Sequence, residues 1–149
     1  MIKVICVGKI KETFYIDAIN EYLKRLTRYT KLDILEIMDE ANEEKALKIE
    51  GEKILNHIKD NDYVITLEIE GNRVSSLELS NLLNKTLINN SNLVFVIGGS
   101  YGLSEEVKNR SNFKLSFSDL TFPHQLFRVI LLEQLYRSFK IVNNESYHK

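Results

Sequence analysis

Residues 93–104 read LVFVIGGSYGLS, an uninterrupted apolar run from Leu93 to Ile97 that passes directly into a glycine-rich loop. A strand that is apolar at every position must be covered on both faces, which is typical of a central strand in a parallel sheet. Glycines directly after such a strand let the backbone approach a ligand where a side chain would collide. The stretch therefore predicts a buried strand with a candidate binding loop at its carboxyl end, although a tight strand-to-helix turn explains the same glycines.

Strand and helix patterns alternate on both sides of this stretch. Strands are predicted at Ile2–Val7, Leu32–Ile37, Tyr63–Ile69, Leu93–Ile97 and Lys114–Phe117. Helical spacing of apolar residues fills the intervals, with a capping box at Ser75 and Glu78 and a long final helix that can accept Pro123 in its first turn. This alternation predicts one α/β domain over residues 1–149, with a mainly parallel sheet and helices on both faces.

The composition limits the classes of function. A chain of 149 residues with 44% hydrophobic and 28% charged residues is typical of a folded globular domain. No segment approaches the ~20 apolar residues of a membrane span and the start does not resemble a signal peptide, so no membrane association and a cytoplasmic location are expected. No His, Cys, Asp or Glu cluster has metal-ligand spacing, so no metal is expected.

The charge distribution bears on nucleic-acid binding. The net charge of −1 argues against indiscriminate binding of nucleic acid, which depends on neutralising phosphates. Residues 100–149 nevertheless carry a net charge of +2, against −3 for residues 1–99. The asymmetry permits a local surface facing RNA without requiring one.

Three predicted strand ends carry residues suited to ligand binding, namely Leu67-Glu68, Gly98-Gly99 and Ser118-Asp119. In open α/β sheets, ligands bind at the carboxyl ends of the strands, so one site built from all three is expected. The glycine loop has neither the spacing of a dinucleotide-binding fingerprint nor that of a phosphate-binding P-loop. The class of ligand therefore stays open at this point.

The final helix carries the remaining candidate residues. Arg128 falls within an apolar arc, and a bare guanidinium in a core costs too much free energy. It must either meet a carboxylate or face a cavity that holds an anionic ligand. His124 begins the helix and is either a polar capping residue or a catalytic one. The opposite side carries Leu126 and Ile130, so the helix is expected to be buried on two sides. The second side is predicted to pack on a partner chain, which gives a dimer.

Two basic segments have two interpretations each. Lys24, Arg25, Arg28 and Lys31 form either a solvated helix end or a phosphate contact. The end of the chain, from Tyr147 through His148 to Lys149, is either an inert frayed tail or a functional one.

Taken together, FVIGGSYGLS at 95–104, LSFSDLTFPHQ at 115–125, Arg128-Val129, EQLYR at 133–137 and the terminal Tyr147-His148 resemble the RlmH family. These are ribosomal RNA large-subunit pseudouridine-N3 methyltransferases of the SPOUT class. The resemblance spans the whole chain. Ser138 stands where such proteins often have Ala, and Asn144 stands where Gly is common.

The resemblance implies a trefoil-knotted α/β fold, a homodimer, ribosomal RNA or the ribosome as substrate, and S-adenosylmethionine bound in the knot. The cofactor contacts that it implies are Leu67, Gly98, Phe117, Ser118, Asp119, Leu120, Thr121 and Phe122. Asp119 stands at a position that varies among such proteins, so the backbone rather than the side chain is expected to bind there. The knot follows from the resemblance alone, since general connection rules would have predicted an ordinary doubly wound sheet.

The implied reaction assigns tasks to three side chains. The protein must hold the RNA nitrogen against the methyl group, and the N3–H of the pseudouridine must lose its proton. Arg128 is expected to orient the base or phosphate or to stabilise charge, and His124 and His148 are candidates for proton removal or base contact. Two other classes remain: a nucleotide-binding regulatory module without a reaction, and a ribosome-associated binding protein that has lost activity.

Overall fold

Five parallel strands form one sheet in the computed structural model, which describes residues 1–149. The strands are β1 (Ile2–Val7), β2 (Leu32–Ile37), β3 (Tyr63–Arg73), β4 (Leu93–Ile97) and β5 (Phe113–Ser116), in the order β2-β1-β4-β3-β5. Every residue of β4 is buried, and β4 pairs in parallel with β1 and with β3. The prediction of a central parallel strand from Leu93 to Ile97 is therefore confirmed.

Five helices cover the two faces of the sheet, as predicted. They are α1 (Thr13–Leu26), α2 (Glu43–Leu55), α3 (Ser76–Asn89), α4 (Glu105–Arg110) and α5 (His124–Val142). Helices α1, α3 and α5 pack on one face of the sheet and enclose the larger apolar core. This core includes Phe95, Leu115 and Leu131. Helices α2 and α4 share the smaller core on the other face, around Val94, Val96 and Val107. These observations establish the α/β class; the trefoil knot stays a prediction.

Helix boundaries follow local capping chemistry. Ser75 and Glu78 form the predicted capping box, because the Ser75 hydroxyl accepts from the Glu78 amide and the Glu78 carboxylate accepts from the Ser75 amide. The Ser104 hydroxyl caps α4 by accepting from the Val107 amide. Pro123 differs from the prediction, since it precedes α5 as its N-cap residue and the helix begins at His124.

Strand β3 is longer than the pattern predicts and is interrupted. Its first part pairs Leu67 with Leu115 of β5, and after a register shift Asn72 pairs with the same residue. Residues 68–71 therefore bulge out of the ladder. The strand, which the sequence predicts to end at Ile69, returns to the sheet at Asn72. Bulges of this kind redirect side chains and are common next to binding sites.

Helix α5 is the buried centre of its layer. The predicted apolar arc is confirmed for Leu131, Leu132, Leu135 and Phe139, all of which are buried. On the other side Leu126 and Ile130 are only half-buried in the single chain. Asn144, just beyond the helix, has a φ of 55°, a conformation that asparagine tolerates better than most residues. None of the helices is long and apolar enough to cross a membrane.

Candidate active site at the carboxyl ends of the central strands

A cavity of about 840 Å³ opens at the carboxyl ends of β3, β4 and β5. This volume is typical of sites that hold a small molecule or cofactor. Its walls come from the β3 bulge, from the glycine loop after β4, and from residues 117–124 between β5 and the start of α5. The three strand ends that the sequence singled out therefore share one cavity.

The glycine loop is closed tightly on itself. The Gly102 amide donates to the Gly99 carbonyl at 3.1 Å, and Gly102 has a φ of +80°, which favours glycine. A Cβ placed on Gly98 would lie 2.7 Å from the Gly102 carbonyl oxygen, which is closer than real Cβ atoms approach. Gly98 is therefore required for the loop to fold back against the strand end and leave the cavity open.

The segment after β5 is held by its own hydroxyls and by α5. Ser118 Oγ accepts from the Leu120 amide at 2.9 Å, and Ser116 Oγ donates to the Ser118 carbonyl at 3.3 Å. The ring of Phe117 packs on Phe127 of α5, with the ring centres 4.9 Å apart. Leu120 is 71% exposed although it lines the cavity, so the rim presents an apolar side chain to whatever enters.

The structure brings most of the expected cofactor residues together. Those that line the cavity are Leu67, Gly98, Phe117, Ser118, Leu120, Thr121 and Phe122. Asp119 does not line it, because its carboxylate forms an exposed ion pair with Arg73. Its side chain is thus directed to another partner, and backbone binding at this position stays a prediction.

His124 and Arg128 stand one turn apart on α5 but in different surroundings. His124 lines the cavity, whereas Arg128 is 2% exposed and does not line it. The Arg128 guanidinium donates through Nη1 to Glu36 Oε2 at 2.7 Å and through Nη2 to the carbonyls of Gly8 at 2.6 Å and Val7 at 3.3 Å. Of the two alternatives for Arg128, the structure therefore shows the ion pair with a carboxylate.

The ion pair joins three elements. Glu36 Oε2 accepts from the Ile10 amide at 3.0 Å as well as from Arg128. The pair therefore fastens the first turns of α5 to the ends of β1 and β2. Sequence reasoning did not identify Glu36, although its place near the end of a predicted strand was a usable signal, because neighbouring parallel strands end at the same edge.

The end of the chain folds back on α5, away from the cavity of its own chain. His148 Nδ1 lies 3.0 Å from Arg137 Nη1, and Arg137 also pairs with Glu133. The Tyr147 ring lies under the Arg137 guanidinium, 4.8 Å from its centre. Burial, and then the Glu133 carboxylate, raise the pKa of Tyr147 above its ordinary value. His148 therefore contacts α5 and does not reach the cavity within one chain.

Charged groups make one side of the cavity acidic. Glu68 and Glu70, both in the β3 bulge, line it together with Lys108 of α4. Sequence reasoning named Glu68 as a strand end but missed Glu70, Lys108 and the apolar wall residue Phe127. These residues reach the cavity through the bulge and through the packing of α4 and α5, which periodicity does not reveal. No group of three His, Cys, Asp or Glu residues is placed to hold a metal ion.

Comparison with known proteins agrees with this geometry. A family model described as "Predicted SPOUT methyltransferase" matches residues 1–148. The chain is 57% identical to ribosomal RNA large subunit methyltransferase H of Clostridium botulinum strain Alaska E43, 58% to that of strain Eklund 17B, and 54% to that of Clostridium tetani. Each similarity covers 99% of this chain and 99% of the relative.

A solved structure supports the fold alone. It is a "probable methylase family protein" from Haemophilus influenzae, which is similar with a TM-score of 0.59 at 15% identity. The similarity covers 99% of this chain and 70% of the other. With the full-length match to the family model, the chain belongs to the SPOUT methyltransferase family.

Proposed function

We propose that this protein transfers a methyl group from S-adenosylmethionine to N3 of a pseudouridine in large-subunit ribosomal RNA, on the assembled ribosome. The observation that carries the proposal is the meeting of the β3 bulge, the glycine loop and residues 117–124 around one cavity. Family membership and relatives named as large-subunit ribosomal RNA methyltransferases support the reaction class and the substrate. Work on the ribosome implies a cytoplasmic location.

The cavity suits S-adenosylmethionine in shape and charge. Leu67, Leu115, Phe117 and Phe122 offer apolar walls of the kind that an adenine ring requires, and a Cβ at Gly98 would displace the loop that borders them. The carboxylates of the bulge suit a cation. When bound there, the cofactor would supply the electrophilic methyl group. Asp119 is proposed to contribute through its backbone.

His124 is the side chain proposed to act on the RNA base. It lines the cavity at the start of α5, next to the segment that would hold the cofactor. The N3–H of the base must be removed, and each unit by which its pKa exceeds the working pH costs about 1.4 kcal/mol. We therefore assign His124 to base contact or proton removal. Holding the nitrogen in line with the methyl group can contribute roughly 7–11 kcal/mol.

Arg128 is proposed to position His124. Its guanidinium is fixed to Glu36 and to the end of β1, and His124 lies one helical turn before it. Rigid placement of that turn keeps the histidine aimed at the cavity. The direct contact with base or phosphate that the sequence suggested would require this ion pair to open.

A homodimer is proposed to complete the site. The half-buried apolar side of α5 with Leu126 and Ile130 is the proposed contact between chains. In such a dimer, His148 would act at the partner's cavity, since it does not reach its own. Sedimentation at micromolar concentration tests the assembly, and a monomer would contradict it.

Two measurements test the proposed reaction. Calorimetry with S-adenosylmethionine should show binding, and methyl transfer should occur to pseudouridylated ribosomes but not to ribosomes with uridine at the same position. The same methyl-transfer assay with separated subunits and with free RNA then shows which form of the RNA is the substrate. Cofactor binding without transfer would favour the inactive ribosome-binding protein, and affinity for a different nucleotide would favour the regulatory module.

Mixed dimers test whether His148 acts across the interface. His124→Ala and His148→Ala should each be inactive as pure dimers. Co-refolded at equal amounts, they should recover about a quarter of the wild-type activity, because half of the dimers are mixed and each of these holds one intact site. No recovery on mixing would contradict action across the dimer.

A further inference from the structure

Glu68 is the one carboxylate of the cavity that the fold holds in place. The Thr66 hydroxyl donates to Glu68 Oε2 at 2.6 Å, and Thr66 itself is completely buried. The Thr66 oxygen also lies 2.8 Å from Ser111 Oγ, and the Ser111 hydroxyl donates to the Phe113 carbonyl at 2.8 Å. The single hydroxyl hydrogen of Thr66, a residue fixed in the sheet, therefore holds the carboxylate.

The other oxygen of Glu68 is available to a ligand. Oε1 has no hydrogen-bond or ion-pair partner in the chain, and the residue lines the cavity. Glu68 lies at the start of the β3 bulge, where the shift in register turns the backbone out of the ladder. By contrast, Glu70 on the same bulge is exposed and has no partner that fixes it. Only Glu68 thus offers a fixed negative charge to the interior of the cavity.

A fixed charge at this place discriminates between ligands by their charge. S-adenosylmethionine carries a positive sulfonium, whereas the demethylated product S-adenosylhomocysteine is the same molecule without the methyl group and without that charge. In a half-buried site the attraction between a carboxylate and a cation is screened less than in water. Apolar walls and backbone contacts act on both molecules alike and cannot separate them.

We propose that Glu68, oriented by Thr66, makes the cavity prefer the cationic methyl donor over its neutral product. The inference rests on the proposed function, because it assumes S-adenosylmethionine as the donor. Glu68 is thus a specificity-determining residue that assists release of the product. It stabilises the donor before transfer more than the transition state, where the positive charge is already dispersing, so its removal raises KM without lowering kcat.

Calorimetry on the full chain tests the proposal. Glu68→Gln should weaken S-adenosylmethionine binding about tenfold and S-adenosylhomocysteine binding less than about twofold. Thr66→Val keeps the charge but frees the carboxylate, so it should give a smaller loss that again falls mainly on S-adenosylmethionine. Glu106→Gln makes the same chemical change at an exposed position outside the cavity and should alter neither affinity. Thermal unfolding of each variant verifies that it folds.

A cationic analogue without a transferable methyl group separates charge from shape. Sinefungin, in which a carbon that carries an ammonium group replaces the methylated sulfur, should follow S-adenosylmethionine in losing affinity for Glu68→Gln. Equal losses for donor and product, or no loss for either, would overturn the proposal. So would a fall in kcat at unchanged affinity, which would make Glu68 a proton-transfer residue. If the wild-type protein does not bind S-adenosylmethionine, the proposed function itself fails, and this inference with it.

Discussion

Replacement of Gly98 by alanine tests the geometry on which the site depends. The new Cβ would lie 2.7 Å from the Gly102 carbonyl oxygen and 2.9 Å from its carbon, with Leu103 Cδ2 at 3.1 Å. Ordinary contact begins near 3.4 Å, so the strand end and the loop must separate by about 0.7 Å. The two nearest of these atoms belong to the backbone and cannot rotate away. The loop that borders the cavity must therefore move.

The expected cost follows from that displacement. Overpacking of this kind typically costs about 1–3 kcal/mol. For a chain of this size each kcal/mol lowers Tm by roughly 2–4 °C, so Gly98→Ala should unfold roughly 2–12 °C below the wild type. With a total stability of about 5–15 kcal/mol, the variant remains folded. Its affinity for S-adenosylmethionine should fall at least about tenfold, because the loop no longer has its binding geometry.

A control separates this effect from general destabilisation. Ile54→Val removes one methylene from the core between α2 and the sheet, away from the cavity, and should cost about 0.5–1.5 kcal/mol. It should bind S-adenosylmethionine as the wild type does. Thermal unfolding and calorimetry on the same samples provide both quantities. A Gly98→Ala protein with wild-type Tm and affinity would refute the close packing of the loop and its role in binding.

Three further outcomes are expected. Arg128→Met leaves the Gly8 carbonyl without its donor and should lower the free energy of unfolding, measured by chemical denaturation, by about 1–3 kcal/mol. Glu36→Gln still offers an acceptor to Arg128 and should lower it less. A larger loss for Glu36→Gln would contradict the geometry. The hydrogen bond from Lys140, assisted by Tyr29, lowers the pKa of Glu145, so its stabilisation is complete above the ordinary carboxyl pKa of 4.5 and is lost as the pH falls through the lowered value. The Tm difference between wild type and Glu145→Gln should accordingly be present at pH 7 and should diminish as the pH is lowered below 4.5. Burial raises the pKa of Cys6 to about 12, so an aromatic disulfide reagent at pH 8 should label Cys6 only as fast as the protein unfolds; rapid labelling of native protein would show an open core.

The pattern of apolar residues by itself determined the elements and the edge of the sheet at which the site lies. An apolar run such as Leu93–Ile97 has one favourable environment, the middle of a covered sheet, and it was found there because burial acts on each residue locally. Gly98, Phe117, Ser118 and residues 120–122 border one cavity for the same reason, since parallel strands bring their carboxyl ends to one edge.

Only the tertiary structure decided which partner each polar side chain meets. Arg128 reaches Glu36, ninety-two positions earlier, because the sheet order sets β2 beside β1 and α5 packs across their ends. Thr66, which holds Glu68, lies beside Ser111, forty-five positions later, because β3 pairs with β5. Such contacts join distant parts of the chain, and periodicity, which reports only whether a residue is buried, contains no information about the partner that burial provides.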